Sequence, residues 1–116
     1  MLKAAGLLPT PPTEPKFYRH AGSGEWIPDI KGYVTYAIMC ENGMLYKGFT
    51  EHFKDRMTSH FNGTGCYTTA RMVPSYIYHY EVFKDKHECT QREVFYKTIE
   101  GLAWLRGLKN PKTIKP

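Results

Sequence analysis

The 116-residue sequence predicts a small α/β domain, a three-stranded, mostly antiparallel sheet flanked by helices. Three observations carry that expectation. Two apolar alternating runs, VTYAIM and MLYKGFT, stand either side of Glu41-Asn42-Gly43. Asn-Gly between such runs is a strong hairpin signal, because both residues tolerate φ > 0. Phe53, Met57 and Phe61 then recur at i, i+4 and i+8, the buried stripe of a helix. Finally, Tyr76 to Phe83, YIYHYEVF, alternates with period 2 as a third strand.

Each element has a local warrant. Residues 9–15, PTPPTEP, exclude helix and central strand and read as an extended leader. Phe17 to Ile30 is irregular, broken by Gly22-Ser23-Gly24 and Pro28, with Trp26 and Ile30 apolar enough to lie against the sheet. Strands are expected over 34–39, 44–49 and 76–83. Alternation puts Val34, Tyr36, Ile38 and Cys40 on one face and Tyr33 on the other. Tyr46, Gly48 and Thr50 share a face, with Gly48 leaving space beside the Tyr46 ring. Thr50 is placed as the N-cap of the first helix, Glu51 suits its positive end, and Asn62-Gly63 closes it.

The stretch from Asn62 to Ser75 reads as a connector carrying Thr68, Thr69 and Arg71, hydroxyls and a guanidinium suited to phosphate. On the third strand Tyr76, Tyr78, Tyr80 and Val82 are expected on one face. Ile77, His79, Glu81 and Phe83 take the other, with His79 and Glu81 read as a structural pair. Asp85-Lys86-His87-Glu88 has the form of a capping box, so a helix starts near Lys86. Its stripe is Phe95, Ile99 and Leu102, with a break or kink at Gly101 and a short continuation from Leu102 to Leu108. The chain thus divides into an extension (1–30), a folded domain (31–108) and a basic tail (109–116), KNPKTIKP.

Composition bounds the partners. The length fits one domain able to bury about two-thirds of its unfolded surface. A net charge of +5 and a 15% aromatic share with nine tyrosines fit a polyanion partner. Three cysteines without C-x-x-C spacing argue against a disulfide framework and a zinc site, and for a reducing, intracellular compartment. No run approaches the ~18 apolar residues of a membrane span, and the start is too short in apolar core for a signal peptide.

His52, Arg56 and His60 recur at i, i+4 and i+8, a column of potential cations with no acid among them. Beside two tyrosines and a glycine gap, that column suggests an anionic ligand. Glu93 lies off the apolar stripe with Lys97 four residues on. Read alone, the two make an ordinary helical ion pair worth roughly 0.3–0.5 kcal/mol.

Taken together, Tyr36, Tyr46-Lys47-Gly48 ten residues on, Arg56 a further ten, His60 four later and Glu93 in REVFYK resemble the GIY-YIG endonuclease superfamily. The pattern is closest to the small stand-alone UvrC-like members and runs from Tyr33 to Leu108. NGTGCYTTARMVPSYIYHYEVF (62–83) is similar to their Gly-rich loop and third strand. Two departures stand out: Val34-Thr35-Tyr36 lacks its glycine, and Lys47 replaces a typical aliphatic residue.

The resemblance implies a metal-dependent DNA endonuclease. Tyr36 would receive the proton from water, Tyr46 and His60 would orient water and phosphate, and Arg56 would neutralise the non-bridging oxygens. Glu93 would hold one divalent cation, Mg²⁺ or Mn²⁺. A phenol has a reference pKa of ~10, so Arg56, the metal and Lys47 are the groups expected to favour phenolate, although Lys47 points to the opposite strand face from Tyr46. DNA, double-stranded or branched as in repair or recombination, would be held by Lys47, His52, Lys54, Thr68, Thr69 and Arg71. A homodimer or protein partner would add specificity. The alternative is a catalytically silent nucleic-acid-binding module on the same fold.

Overall fold

The computed structural model describes residues 24–116, so the proline-rich stretch 9–15 and the first part of the irregular segment lie outside the described residues. Strands β1 (Tyr33–Cys40), β2 (Leu45–Thr50) and β3 (Pro74–Phe83) form one antiparallel sheet in the order β2-β1-β3. Around it lie α1 (Phe53–Phe61), α2 (Tyr67–Met72), α3 (Lys86–Tyr96) and α4 (Ile99–Arg106). The α/β architecture is the expected one.

The hairpin is as expected. Gly43 takes the positive φ, 86°. Its N–H donates to the Cys40 carbonyl, and the Cys40 N–H to that of Met44, each at 2.9 Å. Glu41-Asn42-Gly43 thus forms a three-residue loop ending in a left-handed glycine, and of the Asn-Gly pair only Gly43 uses its tolerance of φ > 0.

On the first sheet face Val34, Tyr36, Ile38, Cys40 and Ile77 pack under Phe53, Met57 and Phe61 of α1, with Ile27 buried among them. Trp26 stands edge-on to Phe61 at 4.8 Å between centroids, so the irregular segment covers the helix as well as the sheet. Lys54 secures this cover, donating to the Gly24 carbonyl at 2.9 Å and the Ile27 carbonyl at 2.6 Å. Helix α1 begins later than expected. Thr50 accepts the His52 N–H at 2.9 Å, forming a side-chain turn that precedes the helix instead of capping it.

On the second face Ala37 and Leu45 meet Tyr96 and Leu105. Thr35 donates to the Cys89 carbonyl at 2.8 Å, fixing α3 across β1. Asp85 caps α3 through the His87 N–H at 3.0 Å, as its sequence predicts. Of the predicted stripe, Phe95 and Leu102 pack on this cluster but Ile99 does not. Thr98 accepts the Gly101 N–H at 2.9 Å and starts a separate helix, which resets the phase. Leu105 is buried instead, and Ile99 is 89% exposed. Gly101 is not the break: a Cβ there would lie 1.7 Å from the Phe95 carbonyl oxygen, so its bareness is what lets α4 start against the end of α3.

Strand β3 carries a bulge. Ala37 pairs with His79 but Ile38 with Ile77, and the extra residue reverses the alternation. Tyr80 therefore packs on the first face and Tyr78 on the second, not together as expected. His79 and Glu81 have separate partners: His79 Nδ1 accepts the Lys112 N–H at 2.9 Å, while Glu81 accepts from Arg92 Nε at 2.8 Å and Tyr96 at 2.6 Å. Residues 109–116 run along the outer edge of β3. Ile114 exchanges two backbone hydrogen bonds with Ile77, 2.9 and 3.0 Å, covering polar groups that an edge strand otherwise presents.

Candidate active site

Strand β1 places Tyr36 opposite Gly48 of β2. A Cβ on Gly48 would lie 2.5 Å from the Tyr36 hydroxyl, so the gap expected beside Tyr46 is taken up by the end of the Tyr36 ring. That hydroxyl meets His60 Nε2 at 3.0 Å, and His60 Nδ1 meets the Thr69 hydroxyl at 2.8 Å. The Tyr46 ring stands edge-on to His60, centroids 5.2 Å apart. The Cys66 thiol donates to the Tyr46 hydroxyl at 3.4 Å and lies 3.3 Å from Thr69 Oγ1. His60, Thr69, Cys66 and Tyr46 thus close a ring of side chains, to which Tyr36 is joined through His60. A proton on His60 Nδ1, donated to Thr69, leaves Nε2 to accept from Tyr36.

Burial sets the charges. His60 is fully buried, and burial together with the Arg56 charge pushes its pKa down to about 4. At neutral pH it is therefore an uncharged imidazole, not the third cation of a surface column. Burial pushes the Tyr36 phenol up to about 12, although Arg56 beside it pulls the other way. Arg56 does stand where the sequence places it, but burial outweighs it. Tyr46 is also held above the ordinary phenol range, by burial and then by Cys66. Burial raises the Cys66 thiol, yet hydrogen bonds with Thr69, Tyr46 and the backbone leave it below the usual range.

Arg56 donates to the Gly65 carbonyl at 3.2 Å, which holds its guanidinium at the rim of the ring. Glu93 approaches from α3 close enough for its charge to act on the Tyr36 phenol. Its Oε2 lies 3.0 Å from Lys97 Nζ, and the carboxylate side chain is 19% exposed. Among the described residues no group of three or more His, Cys, Asp and Glu side chains gathers as a metal cage. A lone hard carboxylate suits an ion such as Mg²⁺, which keeps several waters and takes one or two protein oxygens.

The expected nucleic-acid contacts separate. His52, Thr68 and Arg71 are exposed, and Arg71 bonds the Tyr67 hydroxyl at 2.9 Å. Lys54 is turned to the carbonyls of the irregular segment, and Thr69 is buried on His60. Lys47 pairs with Ala37 on the second face, near Lys97 and Arg106. Cys66 was not legible as part of the site, because its contact with Tyr46 depends on α2. That six-residue helix has no apolar period in the sequence.

The GIY-YIG catalytic domain model matches residues 32–101. A UPF0213 protein of Lacticaseibacillus paracasei is 34% identical over 67 residues, 58% of this chain and 75% of that relative. One of Pediococcus acidilactici is 32% identical over 85 residues, 72% of this chain and 87% of the relative. Another, of Bacillus pumilus, is 37% identical over 75 residues, 65% and 71% respectively. No solved structure matches the chain. Among the described residues, no helix is long and apolar enough to cross a membrane.

Proposed function

The chain belongs to the GIY-YIG catalytic domain family, and from that premise we propose that it is a metal-dependent endonuclease hydrolysing DNA phosphodiester bonds. The observation that carries the reading is the buried Tyr36–His60–Thr69 chain with Arg56 at its rim. A structural cluster has little use for a neutral histidine held between two hydroxyls next to a guanidinium.

A phenol near 12 cannot wait as phenolate at neutral pH, since ionising it alone costs about 7 kcal/mol. Tyr36 instead takes a proton from water while passing its own to His60 Nε2. The hydroxide so formed attacks phosphorus, and the bond to the departing oxygen breaks. An arriving phosphodiester neutralises Arg56, the lesser of the two influences holding His60 down, and its own negative charge favours the imidazolium against burial, the larger one. Arg56 binds the non-bridging oxygens, and Tyr46 and Thr69 keep the imidazole oriented. When bound at Glu93, the divalent ion supplies charge for the phosphorane-like transition state and for the leaving oxygen. Exposed His52, Thr68 and Arg71 meet the DNA backbone.

The 3.0 Å Glu93–Lys97 pair favours a second reading, a silent DNA-binding module in which Glu93 only closes a helix ion pair. Cleavage assays with Mg²⁺ or Mn²⁺ on linear, nicked, flapped and branched DNA separate the two. Glu93→Ala should abolish cutting and leave DNA binding intact or stronger. Tyr36→Phe should slow the chemical step in a folded protein, and Tyr33→Phe should change little. Folded Glu93→Ala cutting at the wild-type rate would refute the mechanism.

A further inference from the structure

Lys97 has no role in the chemistry above, yet it stands beside the acid of that chemistry. Lys97, the C-cap residue of α3, points its ammonium at Glu93 Oε2, 3.0 Å away. Lys47, half-buried on β2, lies within reach of the charges of Arg106 and Lys97. Arg106, one of those charges, is held at the hairpin turn by its bond to the Gly43 carbonyl at 2.9 Å. Lys97 thus has like charge in its surroundings, and the Glu93 carboxylate is what it pairs with.

An exposed i,i+4 pair forms and breaks freely in water. This one differs because the carboxylate is 19% exposed while the lysine is 56% exposed. The acid is shielded from solvent, and the base is free to swing away. A divalent ion reaching Glu93 must displace Lys97 and leave it facing like charge, that of Lys47 and of the ion itself. Such crowding is relieved when an anion enters beside it.

We infer that Lys97 is a resident counter-cation that competes with the divalent ion for Glu93, so that metal binds weakly until a nucleic-acid phosphate arrives to take the displaced ammonium. The inference rests on the reading of Glu93 as metal ligand. It makes Lys97 a positioning residue that couples two binding events, with no part in bond making. Linkage requires the coupling to be reciprocal: metal should strengthen phosphate binding by the factor that phosphate strengthens metal binding.

The test is Mn²⁺ binding to the full chain without DNA, followed by the electron paramagnetic resonance signal of free Mn²⁺. Lys97→Met, at an exposed position where the fold should hold, is expected to tighten binding roughly three- to tenfold. Lys47→Met, which removes a neighbouring charge but not the Glu93 contact, should stay within about twofold. A non-cleavable dinucleotide phosphodiester should tighten Mn²⁺ binding more in wild type than in Lys97→Met. Unchanged affinity in Lys97→Met, equal tightening in both lysine variants, or an equal dinucleotide effect overturns the proposal. Glu93→Gln should lose the site. Wild-type Mn²⁺ affinity in Glu93→Gln instead defeats the ligand assignment, a failure distinct from that of Lys97.

Discussion

Gly48→Ala places one methyl group where the Tyr36 ring now lies. The added carbon would sit 2.5 Å from the Tyr36 hydroxyl oxygen and 2.8 Å from Cζ, both inside the 3.0 Å that real contacts respect. The ring cannot retreat cheaply, because Tyr36 is buried and its hydroxyl is bonded to His60. Overpacking of this kind costs about 1–3 kcal/mol, and removing a strand-interior glycine returns roughly 0.5–1 kcal/mol. A net loss of about 0.5–2 kcal/mol is expected, read as a lower urea midpoint without DNA or metal. Tyr36→Phe removes the atom at 2.5 Å and leaves the one at 2.8 Å, so the double variant should recover part of the loss. The coupling expected from such a cycle is about 0.5–2 kcal/mol. Cleavage should fall further than stability, because a displaced hydroxyl loses His60. A Gly48→Ala protein as stable and as active as wild type would show that the ring does not occupy this gap.

Three further outcomes follow from the packing. Stability should fall as pH drops from 6.5 toward 4, because the unfolded chain takes up a proton that buried His60 refuses. With His60 near 4 and an ordinary histidine near 6.5, its share of the loss reaches at most about 3 kcal/mol, and His60→Gln should remove that share from a pH series of urea curves, leaving the part due to buried His79, whose pKa is also held down. Gly101→Ala drives a carbon into the Phe95 carbonyl and should destabilise by about 3 kcal/mol or more by the same measurement. Lys54→Met, which frees the Gly24 and Ile27 carbonyls, should lower stability by about 1–3 kcal/mol. The slope of log DNA affinity against log salt should stay unchanged in Lys54→Met, since this lysine is not a phosphate contact.

Periodicity made the hairpin, α1 and the capped start of α3 legible, because each is decided within ten residues. What it could not supply were breaks made by contact at a distance. The bulge at Tyr78 arises where β3 pairs with β1, and nothing in YIYHYEVF marks the extra residue. The α3–α4 break needs Thr98 and the close approach of Gly101 to Phe95, whereas an uninterrupted stripe reads equally well on paper. At the site, the spacing of Tyr36, Tyr46, Arg56, His60 and Glu93 carried the family. It did not carry burial. His60 and Thr69 were read as surface groups meeting phosphate, because a helical column shows which residues share a side and not how deep that side lies. Only with α2 packed over α1 does His60 become an interior imidazole with Thr69 behind it.

The burial of His60 also bears on what different inactive alleles would do in a cell. Replacing His60 by alanine empties a space enclosed by Tyr36, Tyr46 and Thr69, so folding and chemistry fail together. A chain destabilised this way is removed by proteases, and the allele behaves as a simple null. On the proposed endonuclease reading, Tyr36→Phe and Glu93→Ala should instead yield intact proteins that still occupy DNA while cutting it slowly or not at all. Expressed beside the wild type, they should interfere with it, whereas the His60 allele should be recessive and silent.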